Sequence, residues 1–170
     1  SMATFVKYQQ FVEDLGNKVH DLVGTNDTLK VALTNAAPNV GTHAVLADIT
    51  EISAGFGYSA GGTDTQNDGT EASGTLTVTG VDIVFTASGG SIGPFRYAVL
   101  YNDTPTSPAD PLIGWWDYGS SITLASGETF TVEDYRNGVT GLGGRRGLGG
   151  IGPAYLRNVL WDNAVRLYRI

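Results

Sequence analysis

Residues 140–153 read TGLGGRRGLGGIGP, and within them Gly147, Gly149 and Gly152 satisfy the pattern G-x-G-x-x-G. In a dinucleotide-binding loop, glycines at this spacing let backbone amides approach a pyrophosphate, provided a strand precedes them and a helix follows. Here the match is preceded by the glycines of 138–144 and followed by Pro153 and a mixed apolar run. Nor does an acidic residue follow in the βαβ context that would hold a ribose. The stretch is therefore expected to be a flexible linker, and no cofactor is expected.

The other chemistry-bearing residues are sparse. Cysteine is absent, which removes thiolate metal sites, disulfides and Cys nucleophiles. The two histidines, His20 and His43, have no second ligand at metal-binding spacing, and no G-x-S-x-G elbow is present. Residues 64–69, DTQNDG, resemble the start of a calcium loop, but Gln66 stands at the third position and Thr75 where the bidentate Glu is needed. No catalytic or metal site is expected. Arg145 and Arg146 could meet phosphate, glycan or an acidic protein surface; as a solvated pair they need none of these.

Adjacent Trp115 and Trp116 form the one site-like cluster, with Phe95, Tyr97, Tyr101 and Tyr118 around them. On a strand they must point to opposite faces, so one is expected in the core. The other is expected under a loop, at a subunit interface or exposed, and an exposed ring beside polar groups would make a sugar-stacking platform.

These residues need a frame. TFVKYQQFVEDLGNKVHDLV repeats apolar residues at helical spacing, predicting one helix capped by Thr4 and ended by Gly24. TLKVALT (28–34) then alternates as a strand. Residues 59–74 read as turn and loop, and strand-like runs follow at 74–80, 81–88, 94–103, 112–119 and 121–134. In 94–103, Phe95, Tyr97, Val99 and Tyr101 are expected on one face. This spacing predicts a mainly β fold, an antiparallel β-sandwich or jelly-roll-like domain with one N-terminal α-helix and a C-terminal arm. The predicted division is 1–134 for helix and sandwich, 135–153 for the Gly-rich linker and 154–170 for the arm.

The arm is apolar and cationic: Tyr155, Trp161, Arg166 and Arg169 join Trp115, Trp116, Arg145 and Arg146 as interface candidates. The formal charge of −7 is unevenly spread. Residues 1–133 hold 15 Asp/Glu against Lys7, Lys18, Lys30 and Arg96, whereas 134–170 hold six Arg against Asp134 and Asp162. Such a tail is expected to seek acidic surface, on its own sheet or across a neighbouring copy, with arginine forks pairing carboxylates. Nucleic acid is not expected as a partner, since the acidic body repels phosphate. No apolar run approaches the roughly 18 residues of a membrane helix, so no membrane insertion is expected.

TASGGSIGPFRYAVLYNDTP (86–105) and LIGWWDYGSSITLASGETFTV (112–132) resemble a family of small structural proteins of tailed bacteriophages and prophages. KYQQFVEDLGNKVHDL and DTLKVALTNAAP resemble that family's N-terminal helix and first strand. The resemblance covers roughly residues 5–133, and the chain beyond Asp134 departs from it. It implies a non-enzymatic building block of the virion, either head decoration or tail component. Its partners would be further copies of itself and other virion proteins. The alternative is a receptor- or glycan-binding module at a tail tip, with a host surface glycan as partner.

Overall fold

The computed structural model describes residues 2–133 and the backbone of three later strands, Tyr155–Arg157, Leu160–Asp162 and Ala164–Arg169. In chain order the elements are β1 (Met2–Thr4), β2 (Val6–Lys7), α1 (Gln9–Gly16), β3 (Leu29–Thr34), β4 (Thr63–Asp64), β5 (Asp68–Ala72), β6 (Thr75–Thr79), β7 (Ile83–Thr86), β8 (Ile92–Asn102), β9 (Leu112–Leu124) and β10 (Thr129–Glu133). The three later strands are β11, β12 and β13, and a 3-10 turn covers Leu46–Asp48. The fold is mainly β, and every strand pair is antiparallel, as the alternating runs predict.

Three sheets form, in the orders β2-β9-β8-β3-β4, β1-β13-β10-β7 and β12-β11-β6-β5. The five-stranded sheet has two buried faces. One carries Leu29, Val31, Leu33, Ala98, Leu100, Ile113 and Trp116 into the main core, against Ile83, Phe85, Phe130 and Val132 of the second sheet. The other carries Ala32, Val99, Tyr101, Leu112 and Trp115, covered by Tyr8 and by Leu46 and Ile49 of the long 35–62 connection. Burying an aromatic or large aliphatic side chain stabilises by roughly 1.5–3 kcal/mol, so this sandwich-like arrangement supplies most of the stability.

The N-terminal helix is shorter than its periodicity predicts. Phe5 and Tyr8, three residues apart, sit on opposite faces of β9: Phe5 packs on Trp116 at 5.0 Å and Tyr8 on Trp115 at 4.7 Å. Only extended chain can straddle a strand in that way, and β2 accordingly pairs Val6 with Trp115. Gly114 makes room, since a Cβ there would lie 2.2 Å from the Phe5 ring. The helix ends at Gly16 rather than Gly24, because Lys18 takes a left-handed conformation with φ 60°. Its N–H reaches the Leu15 carbonyl and the Val19 N–H that of Asp14, a Schellman closure.

Two further expectations are corrected. Phe95 does not share a face with Tyr97, Val99 and Tyr101. A register shift between Phe95, opposite Ile122, and Tyr97, opposite Asp117, turns Phe95 into the main core. Residues 59–74 are not all loop: β4 and β5 lie within them, and β5 pairs along its length with β6.

The C-terminal arm folds back. β13 lies between β1 and β10, setting Val165 opposite Ala3, Leu167 opposite Val132 and Arg166 opposite Glu133. β11 joins β6 through Leu156 and Leu76. The expected linker, 135–153, lies outside the described residues.

Candidate functional site

The polar groups that could do chemistry converge where the chain leaving α1 meets β3 and β8. Asp27, buried, accepts from the Asp21 N–H at 2.8 Å and from Asn102 Nδ2 at 2.6 Å. Asn67 Nδ2 donates to the Asp27 carbonyl at 2.9 Å, while its Oδ1 accepts the Leu29 N–H at 2.8 Å. Asn102 Oδ1 accepts the Thr104 N–H at 3.1 Å, and its Nδ2 lies 3.0 Å from His20 Nδ1. Because an amide nitrogen can only donate, His20 Nδ1 is the acceptor and the imidazole is neutral with its proton on Nε2.

Burial drives the His20 pKa below its ordinary value, although the charges of Asp14 and Asp27 pull it upward. The ring also meets Phe11 edge-on at 5.1 Å. Asp14 is buried one turn back on α1 and accepts from Gln10 Nε2 at 3.0 Å.

Beside this cluster a cavity of about 430 Å3 opens to the surface. Leu15, Leu22, Val23 and Leu76 give it an apolar wall, and His20 and Asp21 a polar one. Its size falls within the range that accepts a small organic group. Among its described lining residues no nucleophile stands beside a base, and its apolar wall suits a ring or an alkyl group.

A second set of polar contacts fixes the 51–62 connection. Tyr58 donates its hydroxyl to Glu51 Oε1 at 2.6 Å and accepts the Leu33 N–H at 3.0 Å. Glu51 also accepts the Gly61 N–H, and Tyr101 donates to the Gly61 carbonyl. Burial pushes the Tyr58 and Tyr101 hydroxyls well above the usual phenol range, so both remain protonated donors. No group of three or more His, Asp or Glu among the described residues is arranged to hold a metal ion. No helix among them is long and apolar enough to cross a membrane.

Trp116 is 3% exposed in the main core and Trp115 is 8% exposed under Tyr8 and the 35–62 connection. They do point to opposite faces. Neither offers a ring to a sugar or a neighbouring subunit, because the long connection covers the second face. Tyr155 lies in β11 and Trp161 in β12, while Arg166 and Arg169 lie in β13 opposite Glu133 and Phe130. With Trp115 and Trp116 in β9, the structure thus places six of the eight candidates in the chain's own sheets. Arg145 and Arg146 lie outside the described residues. His43 Nδ1 accepts the Asn39 N–H at 3.2 Å within its own loop. Asp64 accepts the Gln66 N–H at 2.7 Å, so the calcium-like stretch is a local turn leading into β5.

Sequence reasoning missed Asp27, Asn67 and Asn102, which are separated by 40 and 35 positions and share no motif. It also missed Phe56, which is 55% exposed with a φ of 56°. The signal was present as G-F-G at 55–57, an aromatic bracketed by turn-forming residues. No family model, no curated protein and no solved structure matches the chain.

Proposed function

We propose that this chain is a non-enzymatic structural protein of a tailed-bacteriophage particle, a capsid-decoration or tail component that self-associates and acts in the virion. Its sequence resemblance over roughly residues 5–133 is the source of that reading. The observation that supports it best is how the polar side chains are used. A catalytic acid or base must present a proton-transfer atom to a substrate. Asp27, Asp48, Glu51, Asn67 and Asn102 instead accept main-chain N–H groups of their own chain and hold loops against the sheets.

With β13 built into the chain's own sheet, self-association is assigned to the outer surface rather than to an arm crossing to a neighbour. Light scattering after size exclusion tests this over a range of concentrations. A discrete homo-oligomer is the expected result, and a monomer at every concentration would sink the assembly reading. A monomer that bound members of a glycan array would transfer the assignment to the receptor- or glycan-binding alternative.

A further inference from the structure

We propose that Phe56 of one copy seats in the cavity beside α1 of a second copy, joining the two head to tail; this rests on the self-association proposed above. The first argument is the cost of Phe56. Gly55 and Tyr58 exchange N–H···O bonds at 2.8 and 3.1 Å, closing a two-residue hairpin turn whose central residues are Phe56 and Gly57. Both have positive φ, 56° and 106°. Gly57 is demanded by its surroundings, since a Cβ there would lie 2.0 Å from the Thr86 carbonyl oxygen. Phe56 is not: Asn or Gly suits this backbone better, and a bulky residue held there is strained.

The second argument is presentation. Among the described residues Phe56 is the one aromatic among the large exposed apolar side chains, the others being valines. Its ring lies over Gly90, where an added Cβ would come within 2.4 Å of it. The Phe56 carbonyl accepts the Ser88 N–H at 2.9 Å, and Tyr58 anchors the turn from behind. The ring is therefore held in one direction before any partner arrives, which lowers the ordering cost of binding.

The third argument is the receptacle. The cavity of about 430 Å3 offers Leu22, Val23 and Leu76 to an aromatic ring. Burying such a ring removes roughly 150–250 Å2 of surface from water. The turn packs against 86–90, whereas the cavity wall packs against 69, where a Cβ on Gly69 would strike the Leu22 carbonyl at 1.7 Å. Knob and hole thus occupy different parts of the chain and can meet only between copies.

Charge favours a second copy as the occupant. The three segments at the tip, 53–60, 86–91 and 125–128, carry one charged residue, Glu128, in a chain of net charge −7. Such a tip can approach another acidic copy with little local repulsion, and at the cavity wall Lys18 offsets Asp21. A contact between two different patches is heterologous, so repetition gives a ring or a filament.

Complementation tests it. Phe56→Asn removes the knob with a residue the turn accepts and leaves the cavity intact. Val23→Glu charges an exposed residue of the cavity wall and leaves the knob intact. Each variant alone is expected to fold at the wild-type melting temperature or above and to self-associate roughly 30-fold or more weakly. Mixed, they are expected to form a heterodimer, because one intact knob meets one intact hole. The inference is overturned if Phe56→Asn keeps the wild-type oligomer, if the mixture stays monomeric, or if the wild type itself is a monomer. The first two results leave the assembly reading standing, whereas the third removes both.

Discussion

Protonating His20 takes away the lone pair that accepts from Asn102 and places a charge beside Phe11. Burial lowers the pKa of this base in the fold, so between the folded and unfolded values the unfolded chain binds more protons. The stability contributed by neutral His20 is accordingly complete above the unfolded value of about 6.5 and falls as the pH drops below it. Asp117, held down by Arg96, and Asp48, held down by the Ala44 and Val45 amides, lie below the usual carboxylate range and titrate outside this window. Urea midpoints between pH 7.5 and 5 should therefore decline for the wild type and decline less for His20→Gln. Parallel curves would show that the fold does not lower the His20 pKa. None of this was legible in the sequence, where His20 sits at the polar side of a predicted helix. Its environment is made by Asn102, 82 positions away, and by the Schellman closure at Lys18 that turns the chain inward. Phe56 was half-legible, since G-F-G marks a turn while no side-chain pattern reports that the aromatic residue itself is held at positive φ.

At the scale of elements, alternation made β3 and the C-terminal half of β8 readable, because Leu29, Val31 and Leu33 face the main core and Tyr97, Val99 and Tyr101 the second buried face. The same rule failed at Phe95, where the register shift reverses the face, and at Phe5 and Tyr8, where a spacing of three mimics a helix while the chain is extended. The fate of the arm could not be chosen from composition, since apolar and cationic residues suit a neighbour's surface as well as the chain's own. Register decides it: β13 is the partner of β1 and covers the edge of β10. Ending the chain at Glu133 removes that strand and strips β1 of its partner. Several kcal/mol should be lost with it, lowering Tm by about 10 °C or more or abolishing the cooperative transition. Amide exchange at the β1 N–H that bonds to β13 should rise to unprotected rates even where the remainder stays folded. An unchanged Tm would mean that β13 contributes no stability to this sheet.

For the whole molecule, the distribution of charge sets how copies can meet. With 15 Asp/Glu against four Lys/Arg in residues 1–133, two bodies repel at long range, and added salt screens that repulsion within a Debye length of about 10 Å at 0.1 M. Two modes of association then respond to salt with opposite sign. If the arginines of 134–170 met acidic carboxylates on a neighbour, screening would weaken the attraction and raise Kd. If contact is made through the nearly uncharged Phe56 tip, screening relieves only the background repulsion, while apolar burial is unaffected or slightly strengthened. Self-association should therefore tighten several-fold between roughly 0.02 and 0.3 M sodium chloride, measured by sedimentation equilibrium. Kd rising over the same interval would assign the contact to charge pairs. The chain would then assemble through its arginines, and the strain at Phe56 would need another explanation.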